Sequence, residues 1–138
     1  MKIPFILPIR VYYEDTDAGG VVYHSNYLNF FERTRTEMLR HLGFQQNELR
    51  EEYGVIFAVR SMQIEYLSPA KFNDLVQVSA TISQTKKASL TFEQSIKRDE
   101  VTLCMASCKI ACLDSTKLSP KAIPDFLLKQ FLTETNEH

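Results

Sequence analysis

Asp15 and Asp17 stand two residues apart in the segment EDTDAGGVVYHSN, followed by the adjacent Gly19 and Gly20 and then by His24. A carboxylate placed in such a loop can take a proton from water or attack an electrophilic carbonyl carbon itself. The glycines, with several residues that bond readily to nearby backbone, make this stretch irregular. Binding and catalytic groups concentrate on loops of this kind. The loop leads into a predicted helix, whose first N–H groups lack intrahelical partners and carry partial positive charge. Such an end stabilises negative charge on a carbonyl oxygen. His24 adds a histidine, a residue type suited to proton transfer near neutral pH. The plain alternative for a loop aspartate is building a turn, and residue types alone leave open which of the two carboxylates reacts.

Other chemistries fail on spacing. Counting Asp15 as the first residue of a calcium loop puts Gly19 fifth and Asn26 twelfth, where a bidentate glutamate is required. The paired glycines lack the Lys-Ser/Thr ending of a phosphate loop, and neither G-x-S-x-G nor H-E-x-x-H occurs. Cys104, Cys108 and Cys112 would lie about 13 Å apart along a strand, too far to chelate one ion or to pair. They read as small core residues, and their odd number suits a reducing compartment.

The elements that position the loop follow from periodicity. Residues 9–14 alternate as a short first strand. Residues 26–42 contain no Gly or Pro, and Tyr27, Phe31, Met38 and Leu42, with Leu28, Phe30 and Leu39 alongside, recur at helical intervals. Ser25 or Asn26 can cap this one long helix and Gly43 can end it. Its apolar arc is wide enough to require an enclosing partner. Four segments then alternate with period two, roughly 55–67, 74–83, 88–97 and 101–113. Ala88, Leu90, Phe92 and Ile96 share one face of the third; Cys104, Ala106, Cys108, Ile110 and Cys112 give the fourth a face of mostly small residues that lets a helix approach. A short amphipathic helix follows over about residues 124–132, with proline near its first position. The expected architecture is α+β: a curved, antiparallel, five-stranded sheet wrapped round one long helix, with a short C-terminal helix.

The 138 residues suit a single domain spanning 1–138. Hydrophobic residues at 44% and charged residues at 24% exclude a disordered chain. A net charge of -1 offers no global attraction for nucleic acid. The opening MKIPFILPIR is short, broken by Pro4 and Pro8, and lacks the marks of a secretory signal. No run reaches the length of a membrane span, so a soluble, cytoplasmic protein is expected.

The ordered features Arg10-Val11, Thr16-Asp17, Gly20, Val21-Val22, Asn26-Tyr27 and Glu32 with Arg35 resemble the signature of the hydroxybenzoyl-CoA thioesterase family, whose fold is the hot-dog. The portion YYEDTDAGGVVYH is especially similar to the Tol-Pal-associated acyl-CoA thioesterases. Thr34 departs from the alanine common among relatives. The resemblance implies hydrolysis of an acyl-CoA, within lipid metabolism, to a free acid and CoA without metal or cofactor. It assigns Asp17, not Asp15, as general base or nucleophile and the His24 backbone N–H as the carbonyl-polarising donor. Gly20, Val21, Tyr23, Asn26 and Tyr27 are implied as substrate-binding or shaping residues. Lys86, Lys87 and Ser89 mark a strand start where such proteins often receive CoA, with a solvated charge cluster as the bland alternative. The family also implies a homo-oligomer, a dimer or tetramer with long helices side by side, and an acyl carrier protein as a conceivable thiol carrier.

Two other functions fit the same scaffold. A hydratase or dehydratase would pair His24 with Glu32 or Glu37. A noncatalytic module would bind an acyl chain or an acyl carrier protein without turnover.

Overall fold

The computed structural model describes residues 3 to 136; the first two and last two residues of the expected domain lie outside them. Alternating burial forms five strands, β1 (Phe5–Arg10), β2 (Val55–Tyr66), β3 (Leu75–Thr85), β4 (Ser89–Arg98) and β5 (Val101–Asp114). All pair antiparallel in the order β1-β3-β4-β5-β2. The helices are α1 (His24–His41), α2 (Gln46–Tyr53) and α3 (Asp125–Asn136).

One face of the three central strands is buried: Val76, Val78, Ala80 and Ile82 on β3, Leu90, Phe92 and Ile96 on β4, and Cys104, Ala106, Cys108, Ile110 and Cys112 on β5. Against it α1 turns Tyr27, Phe30, Phe31, Thr34, Met38 and Leu39, a stripe at helical spacing. Phe30 and Phe31 each stabilise the fold by about 1.5–3 kcal/mol through removal from water. Thr34 is accommodated because its Oγ1 donates to the Phe30 carbonyl at 2.8 Å. The small side chains of β5 share the buried clusters with α1, but the helix backbone lies nearest to β3 and β1.

Register breaks bend the sheet. β2 shifts between Val59 and Ser61, leaving Arg60 as an extra residue, and β3 shifts between Ile82 and Gln84. Such bulges increase local twist and bend the bulged strand. The break at Arg60 also changes the parity of β2, so that Phe57 and Val59 before it share a face with Met62 and Ile64 after it.

Four local expectations change. The first strand is β1 at 5–10 rather than 9–14: Pro8 is tolerated on an edge strand, whereas Tyr13–Asp15 forms a 3-10 turn because an Asp15 carboxylate oxygen accepts the Tyr12 N–H at 2.9 Å. The long helix begins at His24, with Tyr23 at its N-cap and no capping side chain, so neither Ser25 nor Asn26 is the cap. Gly43 does take a positive φ of 99° beyond the helix end. Helix α2 had no periodicity to betray it, since Leu49 alone is buried, and Gly54 ends it at φ 66°. The last helix runs on to Asn136, with Leu127 and Phe131 buried. No helix of the described residues is long and apolar enough to cross a membrane.

Candidate active site

A closed ring of backbone bonds holds the Asp17 loop. Asp17 N–H donates to the Val21 carbonyl at 2.9 Å and the Asp17 carbonyl accepts from Gly20 N–H at 3.0 Å. Thr16 and Val22 form an isolated antiparallel bridge. Gly20 has φ 79°, a conformation that side chains resist. Gly19 N–H donates to Asp17 Oδ1 at 2.8 Å, and a Cβ on Gly19 would stand 3.3 Å from that same oxygen. Asp17 thus builds the turn, yet it spends only one oxygen on it; among the described residues none donates to Oδ2. The carboxylate is solvent-exposed in the single protomer.

Asp15, the rival carboxylate, is absorbed into structure. Besides capping the 3-10 turn through its side chain, it accepts the Tyr23 N–H at its carbonyl at 2.9 Å. That bond fixes where α1 starts. His24 is the first helical residue, so its N–H and that of Ser25 have no acceptor inside the helix, while the Asn26 N–H is taken by the Tyr23 carbonyl at 2.8 Å. Asp17 and the free start of α1 are therefore joined by the ring of bonds that runs through Val21, Val22 and Tyr23. The His24 ring is exposed and tilts against Tyr23 at 4.5 Å between centroids.

The remaining residues divide by role. Tyr27 is buried, and its hydroxyl accepts the Ala70 N–H at 3.0 Å; burial raises its pKa above the ordinary tyrosine value. Its hydroxyl ties the first turn of α1 to the backbone at Ala70. Asn26 reaches the Glu14 carbonyl at 3.5 Å and accepts from Asn29 at 3.4 Å. Val21 bridges to Lys71, and Tyr23 is exposed beside His24. Lys86, Lys87 and Ser89 do not join this group. They sit at the β3–β4 turn, where Lys86 N–H donates to the Ser89 carbonyl at 2.7 Å, while the Asp17 loop is bonded to Ala70 and Phe72, just before the opposite end of β3. The intervening length of β3 spans about 33 Å, which sets them apart from the Asp17 loop within one protomer.

Sequence reasoning missed the segment that backs the loop, residues 67–74. Val22 N–H donates to Ala70 at 2.8 Å, Phe72 N–H to Gly20 at 3.1 Å and Val11 N–H to Asp74 at 2.8 Å. Asp74 in turn accepts from Arg98 at 2.8 Å and from Lys71 N–H at 2.9 Å. Partial burial works to raise the Asp74 pKa, but the Arg98 guanidinium and the Lys71 N–H outweigh it and hold the carboxyl below its ordinary value. The turn signals Pro69 and Asn73-Asp74 were the available clue. Tyr66 was also missed; its hydroxyl donates to the His24 carbonyl at 3.2 Å and pins the end of β2 to the start of α1. A third omission is Gln94, buried on the inner face between Phe92 and Ile96. It donates to the Phe31 carbonyl at 3.1 Å and accepts from Arg35 at 2.9 Å.

The geometry disfavours the hydratase arrangement. Glu32 lies roughly 12 Å along α1 from His24, and Glu37 is ion-paired with Arg40. Neither carboxylate shares a site with the His24 ring.

The model of the thioesterase-like superfamily matches residues 11–131. The acyl-CoA thioesterase YbgC of Haemophilus influenzae is 50% identical over 120 residues, spanning 87% of this chain and 88% of that protein. The acyl-CoA thioester hydrolase YbgC of Escherichia coli O6:H1 is 46% identical over 128 residues, 92% of this chain and 95% of its own. Among solved structures, a probable thioesterase from Bartonella henselae superposes with a TM-score of 0.85 at 37% identity, covering 88% of this chain and all of that one. That structure and this chain share the hot-dog arrangement of curved sheet and long helix.

Proposed function

The chain belongs to the thioesterase-like superfamily, and we propose that it is an acyl-CoA thioesterase whose Asp17 carboxylate and His24 N–H work on the same thioester. The observation that carries the reading is their linkage: one hydrogen-bonded loop supplies both a carboxylate with a spare oxygen and the unpartnered start of α1. A thioester carbonyl at the helix start accepts the His24 N–H, which draws electron density onto oxygen. Asp17 then takes a proton from water as the water oxygen attacks the carbonyl carbon, or attacks that carbon itself to give an anhydride that water opens. In both routes the C–S bond breaks, CoA leaves as thiolate and receives a proton, and a carboxylic acid remains. Stabilising the oxyanion with one such donor accounts for about 10²–10³ in rate.

Asp17 is exposed in one protomer, which suits a site completed by a second copy. The whole length of β2 is an open sheet edge, and pairing with the same edge of a second chain in two-fold symmetry would set two α1 helices side by side. A dimer, or a tetramer built of two such dimers, follows from this reading, and only across subunits do Lys86, Lys87 and Ser89 come into question for CoA. An acyl carrier protein thioester presents the same reacting group and is a second candidate substrate. Three free, buried cysteines favour a reducing compartment, the cytoplasm.

Release of free CoA from a panel of saturated acyl-CoAs tests the reading. Hydrolysis of at least one is expected. Saturable binding with no release across the panel, or water addition to enoyl-CoA alone, would contradict it. Single turnover in oxygen-18 water separates the two routes by whether label enters Asp17.

A further inference from the structure

Helix α1 begins without a capping side chain: Tyr23 at the N-cap makes no side-chain bond to it. A capping residue would accept the N–H of the second or third helical residue, here Ser25 or Asn26. The Asn26 N–H is taken by the Tyr23 carbonyl at 2.8 Å, and those of His24 and Ser25 have no partner among the described residues. An uncapped helix end frays unless something else holds it.

Here the hold comes from the acceptor side. The Tyr66 hydroxyl donates to the His24 carbonyl at 3.2 Å, which grips the first turn without consuming a donor. Tyr66 is itself set on fixed backbone. It is the last residue of β2, paired with Cys104 of β5, and the Leu67 and Ser68 N–H groups that follow both donate to the Leu103 carbonyl, at 2.9 and 3.1 Å. Its ring meets the buried Tyr27 ring edge-on at 5.3 Å between centroids. Tyr27 in turn is bonded to Ala70, whose carbonyl accepts the Val22 N–H of the Asp17 loop. Sheet, loop and helix start are thus joined through one pair of tyrosines.

The carbonyl and the N–H of one peptide unit are conjugated, so a bond accepted at the oxygen makes the N–H a stronger donor. The His24 carbonyl shares its unit with the Ser25 N–H. The Tyr23 carbonyl, engaged by Asn26, shares its unit with the His24 N–H. Both open donors therefore sit on peptides whose oxygens are already bonded. Burial raises the Tyr66 phenol above the ordinary tyrosine value, so it stays protonated, and a donor, through the neutral range.

Building on the thioesterase reading, we infer that Tyr66 is a positioning residue for hydrolysis: its hydroxyl fixes and polarises the peptide between His24 and Ser25, so that the Ser25 N–H joins that of His24 in holding the thioester oxygen. Tyr66 does not touch the reacting atoms. Its effect grows as charge develops on that oxygen, so it acts on the transition state more than on the bound substrate.

The test compares kcat and KM of Tyr66→Phe with wild type on the acyl-CoA that the wild type hydrolyses fastest, with folded fraction and oligomeric state matched by circular dichroism and sedimentation. Phe keeps the ring against Tyr27 and removes only the donor. A fall in kcat of about tenfold is expected with KM within about twofold, smaller than the roughly 10²–10³ for losing an oxyanion donor outright. A purely structural bond would instead lower the melting temperature and leave the kcat of the folded enzyme unchanged. An unchanged kcat, or a rise in KM alone, overturns the proposal. NMR gives a readout independent of turnover: in Tyr66→Phe the His24 carbonyl carbon and the Ser25 amide proton are expected to move upfield. Unmoved signals at both overturn it too. If both shifts occur but the wild type releases CoA from no acyl-CoA, the hydrolase reading fails while the hold of Tyr66 on the helix start stands.

Discussion

Asp17 and Asp15 show how two like residues two positions apart come to differ. Asp15 uses its side chain on Tyr12 and its carbonyl on Tyr23, and so sets the geometry of the turn and the helix start. Asp17 uses one carboxylate oxygen on Gly19 and leaves the other without a donor among the described residues. The sequence made the loop legible because the candidate groups are contiguous, but only resemblance chose between the two aspartates, since the bonds that distinguish them depend on the folded turn. The residues that brace the loop were out of reach for another reason: Ala70 and Asp74 come from about fifty residues downstream. Asp74 leads to a prediction about acid stability. Its lowered pKa means that the folded state favours the carboxylate, so the contribution to stability is complete above the ordinary carboxyl value near 3.9 and is lost as pH falls through the lower folded value. Asp74→Asn is expected to be less stable than wild type in thermal melts at pH 6, with the gap closing below about pH 4.

At the scale of elements, alternation was a dependable guide wherever one face is buried, and the ends of β2 to β5 fall within two residues of expectation. It failed where burial is sparse. Helix α2 buries Leu49 alone, so its polar sequence carried no period, and β1 was displaced because Pro4 just before it and Pro8 within it read as breaks. Gln94 was legible in principle: the alternation of Phe92 and Ile96 puts residue 94 on the inner face, where an amide needs partners, and it finds them in Phe31 and Arg35. The inner face of β5 carries all three cysteines. Burial pushes the Cys104 thiol up to about 12 and Cys112 to about 11, and raises Cys108 as well. With thiolate the reactive form, the native protein is expected to show almost no reaction with an aromatic disulfide reagent at pH 8, and three equivalents on unfolding in guanidinium. Rapid native labelling of any of the three would mean that β5 is not packed as described.

At the scale of the whole molecule, the sheet has two edges and treats them differently. β1 carries Pro8, which cannot donate to another strand, whereas β2 offers twelve residues with Val59 and Tyr66 exposed. The single chain is therefore asymmetric in a way that a two-fold dimer through β2 resolves, and the exposure of Leu28 on α1 fits a neighbouring helix or an acyl chain beside it. Analytical ultracentrifugation is expected to show a dimer or tetramer at micromolar concentration, and Arg60→Pro, which removes an edge N–H, to weaken it. A wild-type monomer would remove the reason for assigning any shared site.

The most direct test of the account is the kcat/KM of Asp17→Asn against wild type on the acyl-CoA that the wild type hydrolyses fastest, with fold and oligomeric state matched by circular dichroism and sedimentation. Asn retains an oxygen able to accept the Gly19 N–H, so the turn should survive while the base or nucleophile is lost. A fall of about 10²–10⁴ is expected; wild-type turnover from a correctly folded Asp17→Asn enzyme would contradict the assignment of Asp17 as the reacting carboxylate.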